Sequence, residues 1–387
     1  MILQLLDQLG IGSDGLLGGL RSLAARAGLA AVLAFVTALV TGPALLRWLH
    51  GKRYIEKEAK GDSKQLDELS SKKAPTPTMG GLMIVGAILA AGALCGNLQN
   101  FYVQIALLST LGYGLIGFFD DWVKLTRPGR SGLRSLSKYL LQLGIAISVA
   151  IGITLVFERL GSDLSRNYPE EFPSNLAQQL QSLHVPFTDL RIDLSFAMAI
   201  PHILLVLIVV TGTSNAVNLS DGMDGLAAGC VTVAALAMGA LCVAAGRAPD
   251  LAPDRIFYSP HSQELAVFCT AMAGATLGFL WFNAAPALVY MGDTGSLPLG
   301  SLLGYVSVVV KQELVFLIVG GVFVIEALSV ILQVGSYKMR KKRIFKMAPI
   351  HHHFELKGWS ETKIIVRFWI LALLCAGLGL ASLKLRY

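Results

Sequence analysis

Asp120 and Asp121 close an apolar run in GLIGFFDDWVK (114–124), and Lys124 follows one helical turn later. Adjacent side chains on a helix diverge by about 100°, so the two carboxylates are expected to have separate tasks. One would hold a hard cation or take a proton while the other positions it. Four further polar clusters interrupt the apolar sequence. SKKAPTPTMGG (71–81) offers Lys73 and Thr78, a cation and a hydroxyl suited to phosphate or nucleotide oxygens. GTSNAVNLSDGMDGLA (212–227) places Asn215, Asn218, Asp221 and Asp224 three residues apart with no basic residue among them. Such a run is costly beside lipid unless it lines a wet cavity. FNAAPALVYMGDTGS (282–296) carries Asn283 at the end of an apolar run and Asp293 in a glycine-rich turn. Tyr290, three residues earlier, either stacks a base or sits as an interfacial aromatic. MAPIHHHFELKGWSE (347–361) contains His351, His352 and His353. Neighbouring imidazoles with no Cys beside them converge poorly on one zinc ion, so contact with phosphate or sugar is the better reading. Acidic residues for a metal, lysines for phosphate oxygens and amides for sugar or base are the parts that phosphoryl transfer requires.

The elements that must position these residues are membrane helices. Of 387 residues 54% are hydrophobic and only 15% charged, with a mean hydropathy of +0.62, far from a soluble globular composition. A hydrocarbon core needs about 20 apolar residues per helical span. Ten such runs are present, near 27–46, 79–97, 101–119, 139–157, 195–214, 225–246, 264–282, 297–310, 313–335 and 364–383, the eighth being short. The expected fold is an all-α polytopic membrane protein forming a single domain over 1–387, with residues 1–26 as an amphipathic lead-in rather than a cleavable signal. Odd-numbered connections carry 21 Lys and Arg, against 10 on the opposite face with both termini. That bias places the odd connections in the cytoplasm and the termini in the periplasm. All five polar clusters fall on the cytoplasmic connections, about 47–78, 120–138, 215–224, 283–296 and 336–363, which points to one shared site at the membrane surface. The five cysteines lack CxxC spacing and read as buried thiols. The 158–194 connection is polar and suggests no chemistry. Within spans, His202 reads as a packed histidine, and Glu326 as a functional carboxylate or one satisfied by a neighbouring helix.

The segments KAPTPTMGG, DDWVK, NAVNLSDGMDGLA, MGDTGSL and APIHHHFELKGWSE, in this order and spacing over about 73–361, together resemble the phospho-N-acetylmuramoyl-pentapeptide-transferase family. That family lies within the polyprenyl-phosphate N-acetylhexosamine-1-phosphate transferases; the acidic segments are shared across them, and APIHHHFE points to the muramoyl branch. The resemblance implies transfer of phospho-MurNAc-pentapeptide from UDP-MurNAc-pentapeptide to undecaprenyl phosphate, giving lipid I and UMP. This is the first membrane step of peptidoglycan synthesis, serving cell shape and division. It further implies Mg²⁺ as cofactor, the bacterial inner membrane with a cytoplasm-facing site, a homodimer, and no nucleic-acid partner.

Carried over by motif position, Asp120, Asp121, Asp293 and His352 would be catalytic, with Asp120 activating the lipid phosphate. Asp293, with Asp121, would hold Mg²⁺. Lys73, Thr78, Asn215, Asn218, Asp221, Asp224, Asn283 and Tyr290 would line the nucleotide side, and Lys124, Lys138, His351 and His353 would surround the diphosphate and sugar. The chain departs from the family pattern at Tyr290, where Phe is usual, at Ser220 for Thr and at Met223 for Leu, and its Asp121-to-Lys138 spacing is slightly long. Two alternatives stand beside this reading. One is a related transferase using UDP-GlcNAc, and the other is a proton- or cation-coupled transporter with Asp120, Asp221, Asp293 and Glu326 as a relay.

Overall fold

The outer surface of this molecule is apolar. Val32, Val36 and Val40 are exposed at four-residue intervals, as are Leu111, Leu115 and Phe119 and, elsewhere, Leu204 and Ile208. Stripes of this kind suit contact with lipid tails and would aggregate a water-soluble chain. The structure is a computed structural model that describes residues 1–9, 18–52, 76–127, 132–167, 174–188, 190–247 and 258–382.

The elements are α1 (Ile2–Gln8), α2 (Leu23–Gly51), α3 (Gly81–Cys95), α4 (Phe101–Thr126), α5 (Ser135–Asn167), α6 (Leu176–Leu180), the short strands β1 (Leu183–His184) and β2 (Arg191–Ile192), α7 (Phe196–Ser220), α8 (Leu226–Gly246), α9 (Leu265–Asn283), α10 (Asp293–Val309), α11 (Glu313–Val319), α12 (Gly321–Arg340), α13 (Ile350–Glu355) and α14 (Glu361–Ala381). Among the described residues eight helices are long and apolar enough to cross a membrane. Two expected spans fall short of that length, α3 with 15 residues and α10 with 17.

Every residue of α10 is buried. It packs against α7, α4, α3 and α8, so protein rather than lipid surrounds it. This explains why the eighth span reads weakly in the sequence: a helix enclosed by other helices tolerates Ser296, Ser301 and Ser307, whose hydroxyls donate to backbone carbonyls. Small residues bring α2 and α9 equally close. Ala30, Ala34 and Ala38 are fully buried, and a Cβ built on Gly274 would stand 2.0 Å from the carbonyl oxygen of Ala31.

Two expectations need adjustment. In the lead-in over 1–26 the described residues form α1 (Ile2–Gln8) and a single 3₁₀ turn at Gly19–Arg21, and the first long helix already starts at Leu23, where Ser22 caps it by accepting from the Ala25 N–H. The ninth run is two helices, broken at the Gly320–Gly321 pair. Within the 158–194 connection α5 runs on to Asn167, and Leu183–His184 pairs antiparallel with Arg191–Ile192. His202 is packed as expected, with its Nδ1 3.1 Å from the Thr154 hydroxyl. The five cysteines are free thiols, four of them buried.

Candidate active site

The site is built where the N-terminus of α10 meets the C-terminal turns of α4. Two glycines permit this approach. A Cβ on Gly117, one turn before the aspartates, would lie 2.1 Å from the Asp293 carbonyl oxygen, and one on Gly81 would lie 2.1 Å from the Gly295 nitrogen. The residue before α10 is Gly292, with φ +71° and no side chain to cap the helix. Asp121 supplies the cap from α4. Its Oδ2 accepts from the Thr294 N–H at 2.9 Å and from the Thr294 hydroxyl at 2.7 Å, and its Oδ1 accepts from the Asp293 N–H at 3.3 Å. A carboxylate at a helix N-terminus meets unpaired N–H groups and the positive end of the helix dipole.

Asp120 and Asp121 diverge less than their helical positions suggest. Both swing toward Asp293, and carboxylate oxygens of all three residues lie within 4.8 Å of one another. Their other partners differ, in keeping with separate tasks: Asp120 accepts from the Leu133 N–H at 2.9 Å, whereas Asp121 caps α10. The three residues are 2, 1 and 8% exposed. At that separation each pair of charges repels by about 3–4 kcal/mol at an effective dielectric of about 20, so counter-charge is obligatory. Lys124 provides it at 2.8 Å from Asp120, 3.4 Å from Asp121 and 3.3 Å from Asp293. Lys138 bonds Asp293 directly and stands 3.6 Å from Asp120. Despite the long spacing, then, Lys138 is at the centre of the cluster. Two ammonium groups leave three carboxylates one negative charge in excess, and an all-oxygen donor set this close fits a small hard cation. The acidic triad can therefore bind a metal.

From the triad a polar cleft of about 250 Å³ opens between Lys124, Asn218, Asp221, Gly222, Met223, Asp224, Asn283 and Tyr290. Asn218 donates to Asp293 at 2.7 Å and to Ser296 at 2.8 Å, which fixes the rotamer of the aspartate. Asn283 uses both ends of its amide, accepting from the Gly225 N–H and donating to the Val289 carbonyl, each at 2.8 Å. It staples the 221–225 turn to the loop that carries Tyr290. Asn283→Ala removes both bonds and leaves a buried N–H and a buried carbonyl unpaired, a cost of about 1–3 kcal/mol for each group. The expected result is a melting temperature lowered by several degrees in detergent relative to the unmodified protein. Asp224 accepts from the Ala287 N–H, and its own N–H donates to Glu361.

The remaining predicted residues are distributed unequally. Thr78 lies beside Gly292, its buried hydroxyl without a hydrogen bond among the described residues. Asn215 does not line the cleft; it donates to Gln142 on α5 and to the Thr211 carbonyl. His351 packs on Gly222, and its ring centroid is 4.1 Å from that of His352. His352 is 2.9 Å from Glu355. His353 turns away, its Nδ1 accepting from the Lys346 N–H; partial burial, then the charges of Lys357 and Lys346, lower its pKa. Lys73 lies outside the described residues. Thr294, Ser296 and Glu361 were missed by sequence reasoning as individual partners, although all three fall inside the polar clusters.

Comparison with known proteins decides the relationship. Residues 103–311 match the model of glycosyl transferase family 4. The chain is 46% identical over 376 residues to the phospho-N-acetylmuramoyl-pentapeptide-transferase of Koribacter versatilis, covering 95% of this chain and 94% of that one. Proteins of the same name from Thermodesulfovibrio yellowstonii and Rickettsia canadensis are each 44% identical, with 93% of both chains covered. The chain belongs to the phospho-N-acetylmuramoyl-pentapeptide-transferase family. The family match encloses Asp120, Asp121, Lys124, Lys138, the 215–224 stripe and Asp293, so the matched region and the acidic site coincide.

Proposed function

We propose that this chain transfers phospho-MurNAc-pentapeptide from UDP-MurNAc-pentapeptide to undecaprenyl phosphate, yielding lipid I and UMP at the cytoplasmic face of the bacterial inner membrane. The observation that carries the reading is the triad Asp120–Asp121–Asp293, offset in part by Lys124 and Lys138, at the mouth of a cleft of carboxylates, amides and a tyrosine. A phosphate oxygen of the lipid attacks the sugar-linked phosphorus of the UDP-sugar. A new P–O–P linkage forms, the bond from that phosphorus to the bridging oxygen breaks, and the bridging oxygen leaves with UMP. Positioning and charge neutralisation dominate such catalysis.

Asp120, beside Lys138, takes any residual proton from the lipid phosphate and holds the two lysines in place. Lys124 and Lys138 draw the phosphate oxygens toward the triad. Asp221, Asp224 and Tyr290 face the uridine side, and Tyr290 has the ring to stack on a base. His351 and His352 approach the diphosphate from the 350–355 segment. Asp293 and Asp121 would hold Mg²⁺, which when bound offsets negative charge on the diphosphate. Ten membrane crossings, both termini in the periplasm and a homodimer belong to the same proposal, supported by the Lys and Arg distribution and by family membership.

The test uses purified protein, undecaprenyl phosphate, Mg²⁺ and either UDP-MurNAc-pentapeptide or UDP-GlcNAc, with UMP release and the lipid diphosphate as readouts. Turnover of the muramoyl substrate alone is expected, with loss of turnover on chelation and recovery on adding Mg²⁺ back. Turnover of UDP-GlcNAc alone would move the assignment to the related transferases, and no UMP from either would overturn it. A transporter relay through Asp120, Asp221, Asp293 and Glu326 is disfavoured by the placement of the three aspartates at helix ends around one cleft rather than along a path.

A further inference from the structure

Glu326 on α12 is fully buried, and so is His351 on α13; the carboxylate Oε2 stands 3.1 Å from the imidazole Nδ1. The contact is not aligned as a hydrogen bond, and among the described residues neither side chain forms one; both carboxylate oxygens and both ring nitrogens are buried. On the opposite edge of the ring, Nε2 is pressed against Gly222, where a Cβ would stand 2.3 Å away. Gly222 belongs to the lining of the polar cleft, between Asp221 and Asp224. The imidazole is thus held between a buried carboxylate and the wall of the site.

A buried carboxylate needs a partner, and His351 is the one this structure gives Glu326. The carboxylate orients the ring by proximity, and because Nε2 is itself buried, the imidazole meets the cleft through Gly222 rather than directly. Glu326 therefore never meets the substrate and acts through another side chain, as an orienting carboxylate does behind a histidine. We infer that Glu326 is a positioning residue, which holds the His351 ring against Gly222 and so sets the wall of the cleft between Asp221 and Asp224 that the nucleotide substrate meets. The inference rests on the proposed transferase reading, since it needs that wall to face the nucleotide substrate. It also gives the intramembrane carboxylate a role distinct from a proton relay and from simple helix cementing.

A double-mutant cycle tests it with the full-length protein in detergent: Glu326→Gln, His351→Asn and the double variant, each assayed for kcat and KM toward UDP-MurNAc-pentapeptide and for melting temperature. Glu326→Gln keeps the size of the side chain and removes its charge. The expected loss in kcat/KM is about tenfold to a hundredfold, the range seen when an orienting partner is removed, with the melting temperature close to wild type. The double variant is expected to be no slower than His351→Asn alone, because the carboxylate acts only through that ring. Losses that multiply, a wild-type kcat/KM in Glu326→Gln, or a loss of melting temperature with unchanged kinetics would each overturn the inference. Should Glu326→Gln not fold, Glu326→Asp retracts the charge by one carbon and is expected to lose activity as well; full activity in it would also overturn the inference. Absence of UMP release from the unmodified protein would instead sink the transferase reading.

Discussion

Asp293→Asn is expected to lower the rate of UMP release by at least about a thousandfold. Removing one preorganised electrostatic group from a site where charge develops costs about a hundredfold to a thousandfold, and Asp293 serves several partners at once. One oxygen accepts from Asn218 at 2.7 Å, while the other bonds Lys138 and lies 3.3 Å from Lys124. An asparagine keeps the shape but gives up the charge that holds both ammonium groups, and it leaves the cation-binding set with two carboxylates. The measurement is the initial rate at saturating Mg²⁺ and substrate, with size-exclusion chromatography confirming a folded protein. A rate within tenfold of wild type would remove Asp293 as the principal metal ligand and leave the triad without its central member.

The chemistry-bearing residues were legible in the sequence because they break an apolar pattern. In a chain so hydrophobic, FFDD, NLSDGMDG and GDTGS stand out, and their common sidedness follows from counting Lys and Arg. Asp120, Asp121, Asp293, Lys124, Asn218 and Asp224 do come together. What the sequence could not reveal was which contacts each would make. Nothing in the order of residues says that Asp121 caps a helix that begins 172 positions later, or that Asn215, in step with its neighbours, turns to Gln142 instead of the cleft. A spacing of three drifts around a helix, so the stripe cannot face one target along its length. The same geometry separates His353 from its neighbours: adjacent positions on a helix face different ways, and the third imidazole meets Phe345 and Lys346. Glu326 was hardest to read. The sequence offers it as a functional carboxylate or as one satisfied by a neighbouring helix, and only the fold of the 341–350 segment shows that α13 returns to it.

Membership of a helix in the interior has a similar explanation. A span that faces lipid must be apolar over its full length, whereas α10 meets only protein and so carries serines and an initial aspartate. Hydropathy alone underrates it. The helix that the sequence marks least clearly is therefore the one on which the site depends, since its N-terminus supplies the N–H groups for Asp121 and carries Asp293.

That dependence yields the second large effect: Gly117→Ala is expected to reduce kcat by about a hundredfold or more. The new methyl group would lie 2.1 Å from the Asp293 carbonyl oxygen, 2.4 Å from its carbon and 2.6 Å from the Thr294 nitrogen. All three are backbone atoms, so no side-chain rotation relieves the clash and α10 must retreat from α4 by about 1 Å. A misplacement of that size is enough to cost about a hundredfold in rate, because Asp293 withdraws from Asp120 and Lys138 while Asp121 loses its bonds to the start of α10. Overpacking of this kind also destabilises by about 1–3 kcal/mol, so the melting temperature is expected to fall, but less than enough to unfold the protein at assay temperature. Gly86→Ala on α3 and Gly144→Ala on α5 are the matched comparisons, since a Cβ at either position meets nothing within 4 Å. Both are expected to keep the wild-type kcat. Gly117→Ala with a kcat within threefold of those two would show that the close approach of α4 to α10 does not set the geometry of the carboxylates, and the account of how this fold places its charges would fail at its first step.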